Sequence, residues 1–346
     1  MFAVNKLFLQ KENNTGMKES FLTGAHPFIK LVFLVFLMLT SFIIFSFLGV
    51  LLAIPLFHIS LNEIMTVASG SPTTDNAGLL KYLQLVQSLS LFVVPALLFV
   101  LLEKEKIFRY FGFDRTVKGW LYLVTFIMAF AMIPVNNFLS FWNQSLHLPE
   151  SLSGLESMLR ELERSAEHLT KIFLVMPTWW SYLFNLFLIA LLAAVGEEMM
   201  FRGVIQPILI RWTHNPHAGI ILTGALFSFF HFQFFGFFPR WLLGILFGYL
   251  FYWSRTLWVP MAAHFFNNAL AVTVYFYAGS VAVEKHYDHI GVAHAAEVEA
   301  ARRSVTGSPY LILIAGIVVV IFSMYLFYRN RVSSTGEISS GSSREM

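Results

Sequence analysis

Long apolar runs constrain this chain more than any other feature. Crossing roughly 30 Å of hydrocarbon takes about 17 to 25 helical residues. Runs of that kind fall at about 31–57, 79–102, 120–142, 178–199, 217–235, 238–254, 257–278 and 309–328. A backbone in lipid must satisfy its own hydrogen bonds, so continuous runs of this length are helices. The expected fold is therefore all-α, a polytopic membrane protein with about eight transmembrane helices in one bundle. Residues 1–30 read as a polar N-terminal segment, 31–328 as the membrane domain and 329–346 as a flexible tail. Only 12% of residues are charged, against about 25% in soluble domains.

The first 25 residues lack the continuous apolar core of a cleavable signal peptide. Placing the N-terminus inside puts 15 of the 23 Lys and Arg on the cytoplasmic side, so both termini are expected there. Trp179, Trp180, Trp241 and Trp258 sit near span ends, as interfacial aromatics do. A net charge of +3, scattered along the chain, argues against nucleic acid as a partner; the expected partners are the bilayer and a membrane-associated protein or peptide. The absence of cysteine excludes disulfides, thiol catalysis and thiolate metal ligation.

Two connections have content of their own. In 151–171, Ser153 precedes Glu156 by three residues, a capping-box pattern, and Leu155, Leu159, Leu162 and Leu169 follow at helical spacing. This segment is expected to be an amphipathic helix on the outer surface. The polar stretch 284–303, with His286, His289 and His294, reads as a solvated loop.

An ionisable residue inside a span costs about 2.5–3.5 kcal/mol on insertion scales, so each one requires a reason. The segment GEEMMFRG ends an uncharged run. Glu198 and Arg202 are four apart with the acid first, the better orientation for a helical pair. Glu197, about 100° around the helix, is left as the unpaired carboxylate, suited to act as a general base. In FSFFHF, His231 follows Phe227 by one turn. In AAHFFNNAL, His264 and Asn268 share a face and Asn267 points elsewhere. Each motif also has a structural reading: an interfacial acid pair, a packed histidine, an interhelical amide bond.

Together these residues suffice to activate water, in either of two ways. Glu197 can take the proton with His231 while His264 and Asn268 hold the carbonyl oxygen. Alternatively Glu197, His231 and His264 can bind zinc with water in an open position, since two His and a carboxylate form a known catalytic ligand set.

The three motifs, in this order, resemble those of the CPBP intramembrane proteases, also called the type II CAAX protease or bacteriocin-immunity (Abi) family. Its Glu-Glu-x-x-x-Arg is met by Glu197, Glu198 and Arg202, its Phe-x-x-x-His by Phe227 and His231, and its His-x-x-x-Asn by His264 and Asn268. The resemblance spans roughly 178–275. It implies an eight-helix fold and hydrolysis of a peptide bond at the membrane, with Glu197 activating water, His231 as its partner and His264 with Asn268 as the oxyanion site. It leaves the choice between a zinc-dependent and a glutamate-dependent mechanism open. The short connections look more like the bacterial branch than the eukaryotic one that trims prenylated proteins.

Other readings are a membrane immunity or scaffold protein of the same fold, acting by partner binding, and a proton-coupled transporter. Neither an inverted repeat nor paired broken helices are visible for the latter. Depth poses a problem for any of them. In a simple serpentine Glu197 and His264 lie near the cytoplasmic side, whereas His231 falls about 14 residues into an outward span, roughly 21 Å deep. A fourth helix continuing past Arg202 through the apolar GVIQPILIRW would reconcile them, with Pro207 at a kink or break.

Overall fold

The computed structural model describes residue 20 and residues 22–68, 76–282 and 309–331. The readings made for 284–303 and for most of the two terminal segments lie outside them. Among the described residues the chain is helical and has no strand. Its main helices are α1 (Pro27–Phe57), α2 (Leu61–Ala68), α3 (Ala77–Leu102), α4 (Trp120–Gln144), α5 (Ser153–Phe173), α6 (Trp179–Thr213), α7 (Pro216–Phe229), α8 (Phe237–Ser254), α9 (Trp258–Ala282) and α10 (Pro309–Arg329).

Six are long and apolar enough to cross a membrane: α1, α3, α4, α6, α8 with the turn before it, and α10. Their outward faces are covered in large apolar side chains, such as Phe28, Phe36 and Phe47 on α1. Exposed apolar surface on that scale is what lipid contact requires and what water does not tolerate. The chain is an integral membrane protein.

Two of the eight expected spans differ. The fifth is α7, with only 14 residues, or about 21 Å at 1.5 Å per residue. The seventh is α9, which is 25 residues long but diluted by His264, Asn267 and Asn268. The expected fourth span, 178–199, is the first half of α6, which runs 35 residues without interruption to Thr213. Glu197 therefore lies near the middle of a helix, with 16 residues beyond it. Pro207 stands within the helix, just after the π-helical turn Met199–Ile205.

The amphipathic helix is present as α5, and Leu155 and Leu162 lie on its exposed side. The expected capping box is not formed, because Ser153 is already the first helical residue. Glu156 instead accepts from Leu148 N at 2.8 Å and from Arg160 at 2.7 Å. A true capping box occurs at the start of α2, where Glu63 accepts from Ser60 N at 2.6 Å and Glu63 N donates to Ser60 Oγ at 3.3 Å.

The helices that carry the motifs pack closely. A Cβ at Gly244 on α8 would lie 2.7 Å from Gly224 Cα on α7, so glycine here lets two backbones touch. The turn between α8 and α9 is docked by Leu257 N, which donates to Phe111 O at 3.1 Å.

Candidate active site

Two π-helical turns, Leu186–Leu192 and Met199–Ile205, flank the short α-helical stretch Ala193–Glu198. Such widened turns shift the register of side chains and often occur at functional sites. They bracket the two glutamates.

Glu198 and Arg202 are both fully buried, with Arg202 Nη1 donating to Glu198 Oε1 at 2.7 Å. The pairing expected from their spacing is present. Arg202 Nη2 donates to Gly244 O at 3.0 Å, which the glycine contact between α7 and α8 brings within reach. The guanidinium also lies over the Phe227 ring, 4.5 Å from its centroid. A buried charge is tolerated only when paired and hydrogen-bonded, and this one is both.

Glu198 Oε1 also lies 2.9 Å from His264 Nδ1. A carboxylate oxygen only accepts, so the ring donates from Nδ1. Phe247 stacks on the same imidazole, with centroids 5.1 Å apart. The second ring nitrogen, Nε2, then faces Glu197 Oε2 at 3.9 Å. That oxygen is buried and has no hydrogen-bond partner. As expected, Arg202 does not pair with Glu197, whose Oε2 has no hydrogen bond, though His264 Nε2 lies within ion-pair reach of it.

His231 lies two residues past the end of α7, with Nδ1 2.9 Å from Phe227 O. The carbonyl must accept, so in the neutral ring Nε2 keeps its lone pair. Asn268 is fixed by donating to Ile189 O, inside the first π turn, at 3.1 Å. Asn267 donates to Asn268 Oδ1 at 3.2 Å.

Glu197, His231, His264 and Asn268 all line one cavity of about 470 Å³, within the range of small-ligand sites. Glu198 and Arg202 stand behind it. Sequence spacing missed part of the lining. Asn267 is there beside Asn268, Asn136 and Ser140 come from α4, and Arg240 comes from the first turn of α8. Amides inside spans were the available signal for Asn136 and Asn267.

The turn that carries His231 and leads to Arg240 is held from two sides. Asn143, buried near the end of α4, donates to Phe234 O at 3.2 Å and accepts from Phe238 N at 3.0 Å. From α5, Glu163 accepts from Phe235 N at 3.2 Å and Arg160 lies 4.1 Å from the Phe235 ring centroid. Burial pushes the Glu163 carboxyl above the ordinary range.

Zinc was expected as one option on Glu197, His231 and His264. Among the described residues no three His, Asp or Glu side chains gather as a metal ion requires. The donors as placed do not fit that ion, and no step below is routed through it.

Residues 178–270 match the family model described as Type II CAAX prenyl endopeptidase Rce1-like. The chain carries an Rce1-like domain. It contains all seven motif residues, from Glu197 to Asn268. The uncharacterized protein YpbD of Bacillus subtilis (strain 168) is 32% identical over 114 residues, covering 31% of this chain and 53% of that protein. The chain thus spans about half the length of this curated relative. No solved structure matches it. The Rce1-like domain runs from the start of α6 into α9, so it comprises the helices that meet around Glu197.

Proposed function

We propose that the protein is an intramembrane endopeptidase that hydrolyses a peptide bond of a membrane-associated protein or peptide with water activated by Glu197. One observation carries this reading: a buried carboxylate oxygen with no partner faces a histidine nitrogen at 3.9 Å across a cavity. Both atoms are hydrogen-bond acceptors when the histidine is neutral. A water between them donates both its hydrogens and turns its own lone pairs outward.

Glu197 takes one proton as the water oxygen bonds to the substrate carbonyl carbon. The carbonyl oxygen becomes an oxyanion, and the amides of Asn268 and Asn267 each retain an N–H with which to meet it. Protonated Glu197 then passes its proton to the amine nitrogen as the C–N bond breaks, which leaves a carboxylic acid and an amine. His231, with Nδ1 tied to Phe227 O, offers Nε2 to orient water. In the sequence reading His264 served the oxyanion. Here Nε2 lacks a hydrogen unless the ring is doubly protonated, so the acceptor role fits better. Glu198 and Arg202 set the tautomer and position of His264 from behind.

Placing both termini in the cytoplasm is part of this proposal and rests on the Lys and Arg distribution; a bacterial plasma membrane is proposed from the resemblance to the bacterial branch. The test is cleavage of a membrane-anchored reporter peptide by the protein in proteoliposomes. Glu197→Gln should lose at least about 10²-fold in kcat, the lower range for general-base loss, with an unchanged unfolding midpoint. Turnover at the wild-type rate by a folded Glu197→Gln protein would remove Glu197 from the chemistry.

A further inference from the structure

The cavity lining includes a guanidinium that the hydrolysis does not use. Arg240 projects from the first turn of α8 into the space shared by Glu197, His231 and the two asparagines. Its hydrogen-bond partners belong to one neutral residue: Nη2 donates to Gln233 Oε1 and Nη1 to Gln233 O at 3.5 Å. Among the described residues no carboxylate lies within 4.0 Å of it. Glu163, on the neighbouring α5, has one oxygen engaged by Phe235 N.

The turn before α8 also packs against the guanidinium. A Cβ on Gly236 would lie 2.8 Å from Arg240 Cζ, so glycine lets the turn Phe234–Gly236 lie against the guanidinium. Arginine stays charged in a protein, and its planar fork matches a carboxylate with two parallel bonds. Glu163 and Glu197 act on this cation at longer range, but its hydrogen bonds go only to a neutral residue, and the guanidinium facing the cavity keeps further N–H donors for an arriving anion.

We propose that Arg240 is the residue that reads the substrate, by binding a substrate carboxylate inside the cavity. The carboxylate is either the α-carboxylate at a chain end or an acidic side chain. A cavity of about 470 Å³ also holds Glu197, so the carboxylate sits within a few residues of the bond that is cut. The inference rests on the proteolytic reading above, and it deepens it by naming a substrate chemistry.

The test uses the full chain in proteoliposomes and three versions of one quenched fluorescent apolar peptide. These end in a free carboxylate, in a carboxamide, or in a carboxamide with Glu as the last residue. Wild type should prefer an acid version over the plain amide by roughly 10- to 100-fold in kcat/KM, mostly through KM, as for a lost charged hydrogen bond. The two acid versions separate the chain end from the side chain. Arg240→Gln should abolish the preference, and Arg240→Lys should restore part of it.

A binding arm repeats the comparison with Glu197→Gln protein, with and without Arg240→Gln. If wild type cleaves none of the peptides yet the acid version binds in an Arg240-dependent way, the proteolytic reading fails and Arg240 keeps its role. If acid and amide versions are handled alike in cleavage and in binding, the role of Arg240 is overturned. An equal loss on both in Arg240→Gln, with the ratio preserved, would likewise make Arg240 a structural residue.

Discussion

Glu198→Ala is expected to destabilise the bundle far more than Glu197→Ala, although the two residues are adjacent. Glu198 and Arg202 are both 0% exposed and are joined at 2.7 Å. Removing the acid leaves Arg202 its bond to Gly244 O and its contact with Phe227, but no carboxylate bonded to it. Breaking a buried ion pair from one side costs about 3–5 kcal/mol. At about 2 °C per kcal/mol, near the low end for large domains, the unfolding midpoint should fall by roughly 6–10 °C. Glu197 has a buried oxygen with no partner, so Glu197→Ala removes a desolvated group and should leave the midpoint level or raise it. Replacing both partners, Glu198→Ala with Arg202→Met, should recover most of the loss. The assay is thermal unfolding in one detergent at one scan rate. Equal midpoints for Glu198→Ala and wild type, or a double variant no better than the single, would refute the pairing argument.

Gly244→Ala should lose about 1–3 kcal/mol by overpacking against Gly224. Gly119→Ala, where nothing lies within 4 Å, has no clash to relieve and serves as the control in the same melts. The Glu156 carboxyl is held down to about 2, first by Leu148 N–H and then by Arg160, with His147 adding less. Its folded pKa lies below the ordinary 4.5, so the stability it gives is complete above that value and is lost as pH falls toward 2. Hydrogen exchange around 146–160, corrected for the intrinsic rate, should therefore rise in Glu156→Gln at neutral pH and not in Glu161→Gln. Chelation should leave hydrolysis unchanged, because the zinc donors do not gather. Near-stoichiometric zinc that is lost together with activity in Glu197→Ala would overturn that expectation.

Spacing along one helix was legible in the sequence, and so was the gathering of Glu197, His231, His264 and Asn268 from three helices into one site; which atoms face one another was not. The i,i+4 interval gave the Glu198–Arg202 pair and left Glu197 over. It said nothing of His264 sharing the Glu198 oxygen with Arg202, which depends on how α9 enters the bundle. Asn267 was expected to point away from the face of Asn268, yet both amides reach the cavity. Nothing in the sequence singled out Arg240, and only the return of α8 beside α7 brings it into the cavity with Glu197. Hydropathy placed α1, α3, α4 and α10 closely. It failed at α7 because the apolar residues after Phe229 belong to a turn and to the next helix, and hydropathy does not see where a helix ends.

The depth problem posed by the sequence is answered by that same short helix. From the end of α6, Glu197 lies 16 residues back, or about 24 Å. From the start of α7, the 14 helical residues cover about 21 Å before His231. The connection between the two helices is only His214 and Asn215, so both measurements start at nearly one level and end at nearly one level. A full-length α7 would carry the chain past Glu197 and leave no room for a turn beside it. Ending the helix there leaves backbone groups that no helix satisfies. Asn143 answers two of them, Glu163 a third, and Ser228 Oγ donates to Phe237 O at 2.7 Å. Asn143→Ala should accordingly impair hydrolysis without touching the cavity lining. Asn143→Asp, which keeps the acceptor for Phe238 N and loses the donor to Phe234 O, should fall between the two. If Asn143→Ala cleaves the reporter as wild type does, the turn is held by something other than these bonds.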